Sequence, residues 1–143
     1  MTYLVDVNVW FALAVIGHRQ HAAAKAWFED STTDRILFCR TTQQALLRLL
    51  TNVTLMGANV LTPAEAWRIY DALRTDHRVG FADEPPQVEE HWRLATRARK
   101  LGTNFWTDAY LGAFAAAAGY TILSFDRAFA AMHGVESRIL TAS

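Results

Sequence analysis

The stretch YLVDVNVW at residues 3–10 opens the chain with an apolar run that a single carboxylate interrupts. Its apolar and β-branched residues predict a buried strand over residues 3–7, at the position where an α/β fold begins. A charge buried among apolar strand residues is costly unless a partner compensates for it. Asp6, at the end of this predicted strand, is therefore the first candidate for a functional residue.

Short strands and helices alternate along the rest of the chain. The pattern predicts further strands at residues 35–39, 79–81, 120–124 and 137–140, the last of them at an edge of the sheet. It predicts helices near residues 22–29, 41–55, 63–75, 87–101 and 106–118, and a short helix at 126–132. This order is typical of a three-layer α/β/α sandwich around a mostly parallel sheet. No repeat, linker or composition shift divides the chain, which predicts one domain over residues 1–143.

Two of the predicted helix boundaries carry specific signals. Thr62 caps a helix that has Pro63 at its first position and Glu65 at the capping-box position. Gly119 ends the alanine-rich helix, because glycine readily adopts the left-handed conformation that closes a helix.

The composition excludes several classes of protein. The 143 residues are 52% hydrophobic and 20% charged, which is enough apolar surface to offset the entropy of ordering. Fourteen basic residues balance fourteen acidic ones, so the chain is not a uniformly basic nucleic-acid binder. The single cysteine, Cys39, excludes a disulfide framework. Without a signal peptide or an apolar run of membrane-spanning length, we expect a cytoplasmic protein with no membrane partner.

Three carboxylates are predicted to meet at one edge of the sheet. Asp6 ends the first strand, Asp126 follows the strand at 120–124, and Asp108 lies in the first turn of the alanine-rich helix. Sites in parallel α/β sheets form beyond the carboxyl ends of the strands. Carboxylates gathered there would repel one another, and Mg²⁺ or Mn²⁺ would offset that repulsion through oxygen ligands.

Each of these polar residues also has a purely structural interpretation. Asp108 would stabilise the positive end of its helix, Asp126 would cap the short helix after it, and Asn8 would cap a helix that follows the first strand. Asp6 resists such an explanation, because its surroundings in the sequence are apolar. The three acids together favour a site more strongly than any one of them alone.

Four segments of the chain, residues 4–10, 40–51, 106–111 and 124–129, resemble the PIN-domain family, in particular its VapC-type toxins of prokaryotic toxin–antitoxin pairs. Each motif is short, and the order and spacing of all four make the resemblance specific. It covers nearly the whole chain. The resemblance implies a PIN-like fold and metal-dependent endoribonuclease activity.

The resemblance also implies roles for particular residues. It places the metal-binding carboxylates at Asp6, Asp108 and Asp126, and supporting polar groups at Asn8 and Thr107. The family often has one more acid early in the helix after the second strand, and this chain has Ala45 at that position. The number of bound metal ions is therefore open. Gln43 or Gln44 would supply only a neutral oxygen there, and Glu84 would have to approach from another segment.

The implied substrate is RNA, and the implied partners are proteins. Arg40, Arg48 and Arg127 flank the acids in the sequence and are candidates to contact phosphates, or else surface residues in salt bridges. From the resemblance we expect a homodimer and a cognate VapB-type antitoxin whose C-terminal segment blocks the acidic cleft.

Two other functions remain open from the sequence. Ala45 favours a catalytically degenerate PIN module that binds RNA or protein without cleaving it. A phosphotransfer enzyme with Asp6 as its nucleophile would ordinarily carry a second carboxylate at the position of Asn8 and a suitably placed lysine, and neither is evident.

Overall fold

Five parallel strands form the centre of the protein. The computed structural model describes residues 1–97 and 102–142 and orders the strands β3-β2-β1-β4-β5. The strands are β1 (Thr2–Val5), β2 (Arg35–Phe38), β3 (Val79–Phe81), β4 (Thr121–Ser124) and β5 (Ser137–Ile139). Every neighbouring pair is parallel, so the predicted α/β fold class is confirmed and the sheet is parallel throughout.

Helices connect the strands and cover both faces of the sheet. They are α1 (Val7–Ala14), α2 (His21–Asp30), α3 (Arg40–Leu50), α4 (Val53–Met56), α5 (Pro63–Arg74), α6 (Val88–Ala95) and α7 (Phe105–Ala118). Two 3₁₀ segments, Gly57–Asn59 and Arg127–Ala131, follow α4 and β4. No helix in the described part of the chain is long and apolar enough to cross a membrane.

The alternation of side chains along each strand builds two cores. Tyr3 and Val5 of β1 point to the face that α1, α2, α3 and α5 cover. Leu4 points to the opposite face, which α6 and α7 cover. Both faces are apolar, and therefore the strands are continuous apolar runs rather than alternating ones.

The first predicted strand is too long by two residues. β1 ends at Val5, and Asp6 is the N-cap of α1, a helix that the sequence pattern did not predict. The apolar run simply continues from the strand into a helix whose residues Val9, Trp10 and Phe11 are buried. Hydrophobicity alone does not distinguish the two conformations over so short a run.

Two predicted helices also end early. The helix predicted over residues 41–55 is broken after Leu50, because the side chain of Asn52 accepts a hydrogen bond from the backbone N–H of Leu55 (3.0 Å) and starts the separate helix α4. The helix predicted over residues 87–101 ends at Ala95, and the last part of that prediction, residues 98–101, lies outside the described residues.

The strand order places a topological switch beside β1. The chain leaves β1 for β2 and β3 on one side and then returns to the other side for β4 and β5. The carboxyl ends of β1 and β4 therefore lie side by side, with helices departing from them in opposite directions. Such a point is where open parallel sheets form their ligand-binding crevice.

Both predicted helix-boundary signals are confirmed. Thr62 accepts a hydrogen bond from the backbone N–H of Glu65 (3.2 Å), and the Glu65 carboxylate accepts one from the N–H of Thr62 (3.1 Å). Gly119 ends α7 in the left-handed conformation, with φ of 74°.

We expect Thr62→Ala to lower the free energy of unfolding by about 1 kcal/mol, since it removes the side-chain cap of α5. Urea denaturation followed by circular dichroism measures the change. Thr54→Ala is the matched control, because Thr54 is exposed in α4 and makes no side-chain hydrogen bond within residues 1–97 and 102–142. Equal stability of the two variants would contradict a stabilising role for the cap.

Candidate functional site

The hydroxyl of Ser124 connects the ends of β1 and β4. It donates to Oδ2 of Asp6 (2.7 Å) and accepts from Nδ2 of Asn8 (3.1 Å) and from the backbone N–H of Asp126 (2.9 Å). Oδ1 of Asn8 in turn accepts from the backbone N–H of Phe125 (3.2 Å). The side chains of Asp6, Asn8 and Ser124 are thus fixed relative to one another, and they connect the ends of β1 and β4.

Asp6 is buried and fully hydrogen-bonded. Only 7% of its surface is exposed. Its Oδ1 accepts from the backbone N–H of Val7 (2.8 Å) at the start of α1, while Oδ2 accepts from Ser124. Burial nevertheless raises the pKa of Asp6, and the nearby charge of Asp126 adds to the effect, whereas the two hydrogen bonds lower it. The expectation that Asp6 has no capping role is wrong, because α1 begins directly after it.

Asp108 is held near the same two acids from the opposite layer of the sandwich. It lies half-buried in the first turn of α7. Its pKa is raised from an ordinary 3.8 to about 6, chiefly by burial and additionally by the charges of Asp6 and Asp126. The three carboxylates are therefore close enough for their charges to interact, and the sequence predicted this proximity at one edge of the sheet.

Asp126 is the exposed member of the group. Its Oδ1 accepts from the backbone N–H of Ala128 (2.9 Å), so it caps the 3₁₀ segment after β4. The structural interpretation of Asp126 from the sequence is confirmed by this bond. Capping and proximity to the other acids are compatible, since only one carboxylate oxygen is used.

The donor chemistry of these acids fits a hard divalent cation, because neighbouring carboxylates repel one another and a metal ion that binds oxygen ligands offsets the repulsion. Their present side-chain positions do not form a finished ligand set. Within the described ranges no group of three His, Cys, Asp or Glu residues is arranged to hold a metal ion.

The two predicted supporting residues differ in their surroundings. Asn8 is the second residue of α1, so it is not a cap, and its amide instead belongs to the Ser124 network. Thr107 is exposed in the first turn of α7 and makes no side-chain hydrogen bond to the residues that the structure describes.

The three candidate phosphate contacts are all exposed. Arg40, Arg48 and Arg127 form no ion pair with any carboxylate of the described residues. The guanidinium of Arg40 lies 4.7 Å from the centre of the Phe81 ring and donates to Oε1 of Gln43 (2.6 Å). Their positive charges are therefore not neutralised by the salt bridges that were the alternative interpretation.

Glu84 has a definite position that the sequence did not reveal. Its carboxylate accepts a hydrogen bond from the hydroxyl of Tyr110 (2.5 Å), which lies on α7 just after Asp108. Burial and the neighbouring Glu84 raise the pKa of Tyr110. Ala45 is half-buried in α3 and supplies no oxygen, while Gln43 is committed to Arg40.

Ser124 is the residue of the site that the sequence analysis did not single out. A signal was present, because Ser124 is the polar last residue of an apolar strand, as Asp6 is the polar residue directly after one. What the sequence does not give is that the two strand ends are neighbours, which depends on the order of the sheet.

The parallel sheet and the cluster of acids at its switch point define a class of protein. Comparison with known families identifies that class. The PIN domain profile matches residues 3–135, and the chain therefore belongs to the PIN-domain family. Within that family it is 42% identical over 142 residues to Ribonuclease VapC41 of Mycobacterium tuberculosis, covering 96% of this chain and 97% of that protein. It is 31% identical over 125 residues to Ribonuclease VapC38 of the same species, covering 86% and 84% of the two chains.

Solved structures share the fold at low sequence identity. A VapBC2 structure from Rickettsia felis, bound to a DNA fragment from its promoter, matches with a TM-score of 0.71 at 10% identity, over 99% of this chain and 100% of that one. Mycobacterium tuberculosis VapC20, a Sarcin-Ricin loop cleaving toxin, matches with a TM-score of 0.66 at 17% identity, over 94% and 98% of the chains.

We expect Ser124→Ala to destabilise the protein by about 1–3 kcal/mol, because the backbone N–H of Asp126 and one oxygen of Asp6 lose a buried partner. Chemical denaturation measures the loss. Ser137→Ala in β5 is the matched control and should change stability by less than about 0.5 kcal/mol. Similar losses in both variants would show that Ser124 contributes no more than an ordinary strand serine.

We expect Asp108→Asn to be more stable than the wild type at pH 8, without added metal. Folding raises the pKa of Asp108, so the folded state holds its proton more tightly than the unfolded state. The stability due to this proton is complete below the ordinary pKa of 3.8 and is lost as the pH rises through about 6. Asp108→Asn carries no titrating carboxyl at this position and does not lose this stability. The difference in stability between the variant and the wild type should therefore vanish towards pH 4.

Thermal denaturation in EDTA between pH 4 and pH 8 measures this difference. Asp71→Asn, an exposed aspartate of α5, is the control, and its difference from the wild type should not vary with pH. A parallel pH profile for Asp108→Asn and the wild type would refute the electrostatic coupling of the acids.

Proposed function

We propose that residues 1–143 act as a single PIN domain that hydrolyses RNA phosphodiester bonds, as the toxin of a toxin–antitoxin pair in the cytoplasm. The observation that carries this proposal is the cluster of Asp6, Asp108 and Asp126 at the switch point of the sheet, where burial and the charges of neighbouring acids raise the pKa of Asp6 and of Asp108. The 42% identity to a protein named as a ribonuclease supports it.

Asp6, Asp108 and Asp126 are the residues that would hold Mg²⁺ or Mn²⁺. Such an ion supplies charge stabilisation at the scissile phosphate and acidifies a water molecule for attack on phosphorus. Ser124 positions Asp6, because its hydroxyl donates to the carboxylate from the end of β4, and Asn8 supports this contact by donating to the same hydroxyl. The first turn of α7 presents Asp108 beside it, and Thr107 lies exposed on the same turn.

Exposed arginines would bind the RNA backbone. Arg40 lies over one aromatic ring, that of Phe81, and the guanidinium of Arg74 lies 6.0 Å from the centre of the same ring. Arg48 and Arg127 are exposed and offer further phosphate contacts. Acids at the site and arginines along the path account for a net charge of zero in a protein that binds RNA.

The proposed partners are a VapB-type antitoxin and a second copy of the chain. Large apolar side chains at α4 and the start of α5 remain exposed, among them Val53, Leu55, Val60 and Trp67. Exposed apolar groups of this kind are typical of protein interfaces when they lie together. Several solved structures of the same fold are VapBC assemblies, which supports a partner of the VapB type.

A second candidate function is a degenerate PIN module that binds RNA or protein without cleavage. Ala45 favours it, because no carboxylate of α3 reaches the site from that position. The same cleavage experiment decides between the two functions.

We expect the purified protein to cleave structured RNA in the presence of Mn²⁺ or Mg²⁺ and to lose that activity in EDTA. Asp6→Asn, Asp108→Asn and Asp126→Asn should each slow cleavage by about 100-fold or more, because even changes to residues that only support metal ligands cost 10–100-fold. Gel analysis of end-labelled RNA measures the rate.

Asp71→Asn is the control for these variants and should cleave at the wild-type rate. Mn²⁺ should also raise the melting temperature of the wild type and not that of Asp108→Asn, which tests metal binding apart from catalysis. If the wild type cuts no faster than the three variants, the ribonuclease proposal fails and the binding module replaces it.

A further inference from the structure

Trp106 is an exposed indole beside the acidic site. Its side chain belongs to a residue that is 61% exposed, whereas Trp10 and Trp27 are almost completely buried. Tryptophan is highly buried on average, because its ring carries a large apolar surface. An exposed tryptophan next to charged groups therefore calls for a ligand that covers it.

Neighbouring aromatic rings pack against the ring of Trp106 and restrict its motion. It packs edge-to-face against Trp92, with ring centres 6.1 Å apart, and against Phe105, with centres 5.5 Å apart. Nε1 of Trp92 donates a hydrogen bond to the backbone carbonyl of Trp106 (3.1 Å). Trp92 is itself packed against Tyr110, with ring centres 5.2 Å apart. A ring held in this way has little conformational entropy left to lose when a ligand stacks on it.

The position of Trp106 in α7 relates it directly to the acids. Trp106 and Asp108 share the first turn of the helix, where positions two apart lie about 5 Å from each other along opposite sides. Asp108 faces the switch point, and Trp106 faces α6, so that the indole flanks the site rather than filling it. A strand with one phosphate at the acids would bring a neighbouring nucleotide to the indole.

We propose that Trp106 is a stacking platform for a base of single-stranded RNA, next to the phosphate that lies at the acidic site. The proposal rests on the proposed ribonuclease function and adds to it how the substrate is held. Bases exposed in loops and single strands stack on aromatic side chains, and every base offers a flat face for this purpose. Trp106 therefore sets affinity and the position of the strand, with little discrimination among bases.

The test is RNA affinity in EDTA, where no cleavage interferes. Fluorescence anisotropy with a fluorescein-labelled 12-nucleotide oligoadenylate should show Trp106→Ala binding about 5- to 100-fold more weakly than the wild type. Trp106→Phe, which keeps a ring, should recover most of the affinity. Ile16→Ala is the control, because Ile16 is a large apolar side chain that is 83% exposed and lies beyond the C-terminal end of α1, and it should bind as the wild type does.

An abasic strand of the same length separates stacking from other effects. The wild type and Trp106→Ala should bind it equally, because without bases the indole has nothing to stack on. If Trp106→Ala still binds the abasic strand more weakly than the wild type does, the proposal is overturned. If Trp106→Ala does not fold, the wild type and Trp106→Phe still report the loss that base removal causes.

The outcomes distinguish this proposal from the function on which it rests. If the wild type cleaves RNA and Trp106→Ala binds oligoadenylate with wild-type affinity, the stacking role fails and the ribonuclease function stands. Unchanged RNA affinity together with lost self-association in Trp106→Ala would assign the indole to a protein interface and would also overturn the proposal. A wild type that binds no RNA overturns it as well.

Discussion

The hydrogen bond from Ser124 to the buried carboxylate of Asp6 is the interaction on which the site depends. Asp6 sits where burial disfavours its charge and raises its pKa, and the hydrogen bonds from the start of α1 and from the Ser124 hydroxyl oppose that rise. Each of these donors belongs to a different part of the fold. The carboxyl edge of the sheet is thus organised around one buried carboxylate whose hydrogen-bond partners come from a helix and from a neighbouring strand.

The same arrangement places function and stability in opposition. Asp108 and Asp126 come close to a carboxylate that is already desolvated, and the pKa of Asp108 rises through its own burial and, to a lesser extent, through the charges of the other two acids. A protein selected for stability alone would separate these charges or neutralise one of them. Their proximity is instead typical of sites that bind a cation or polarise a substrate. The surrounding core, with Trp10 stacked on Phe38 at 3.8 Å, compensates by being closely packed.

Much of the fold follows from local sequence signals, and the remainder depends on tertiary contacts. The β3 range, the Thr62 cap and the Gly119 stop were predictable, because each is determined by neighbouring residues. The start of α1 was not, since the apolar run continues through it without a change of pattern. Asp6 and Asp126 were identifiable from their places after strands, and Asp108 from its place in the first turn of a helix, whereas the Ser124 contact requires the strand order β1-β4.

The pairing of β1 with β4 joins residues that lie more than a hundred positions apart, as the Asp6–Ser124 bond does. Contacts of such long range form late, after the loop between them has been closed. On the ribosome, the first strand emerges long before the fourth, and Asp6 then waits without Ser124, Asp108 or Asp126. The acidic centre consequently cannot assemble until synthesis is nearly finished, so a truncated or stalled nascent chain lacks it.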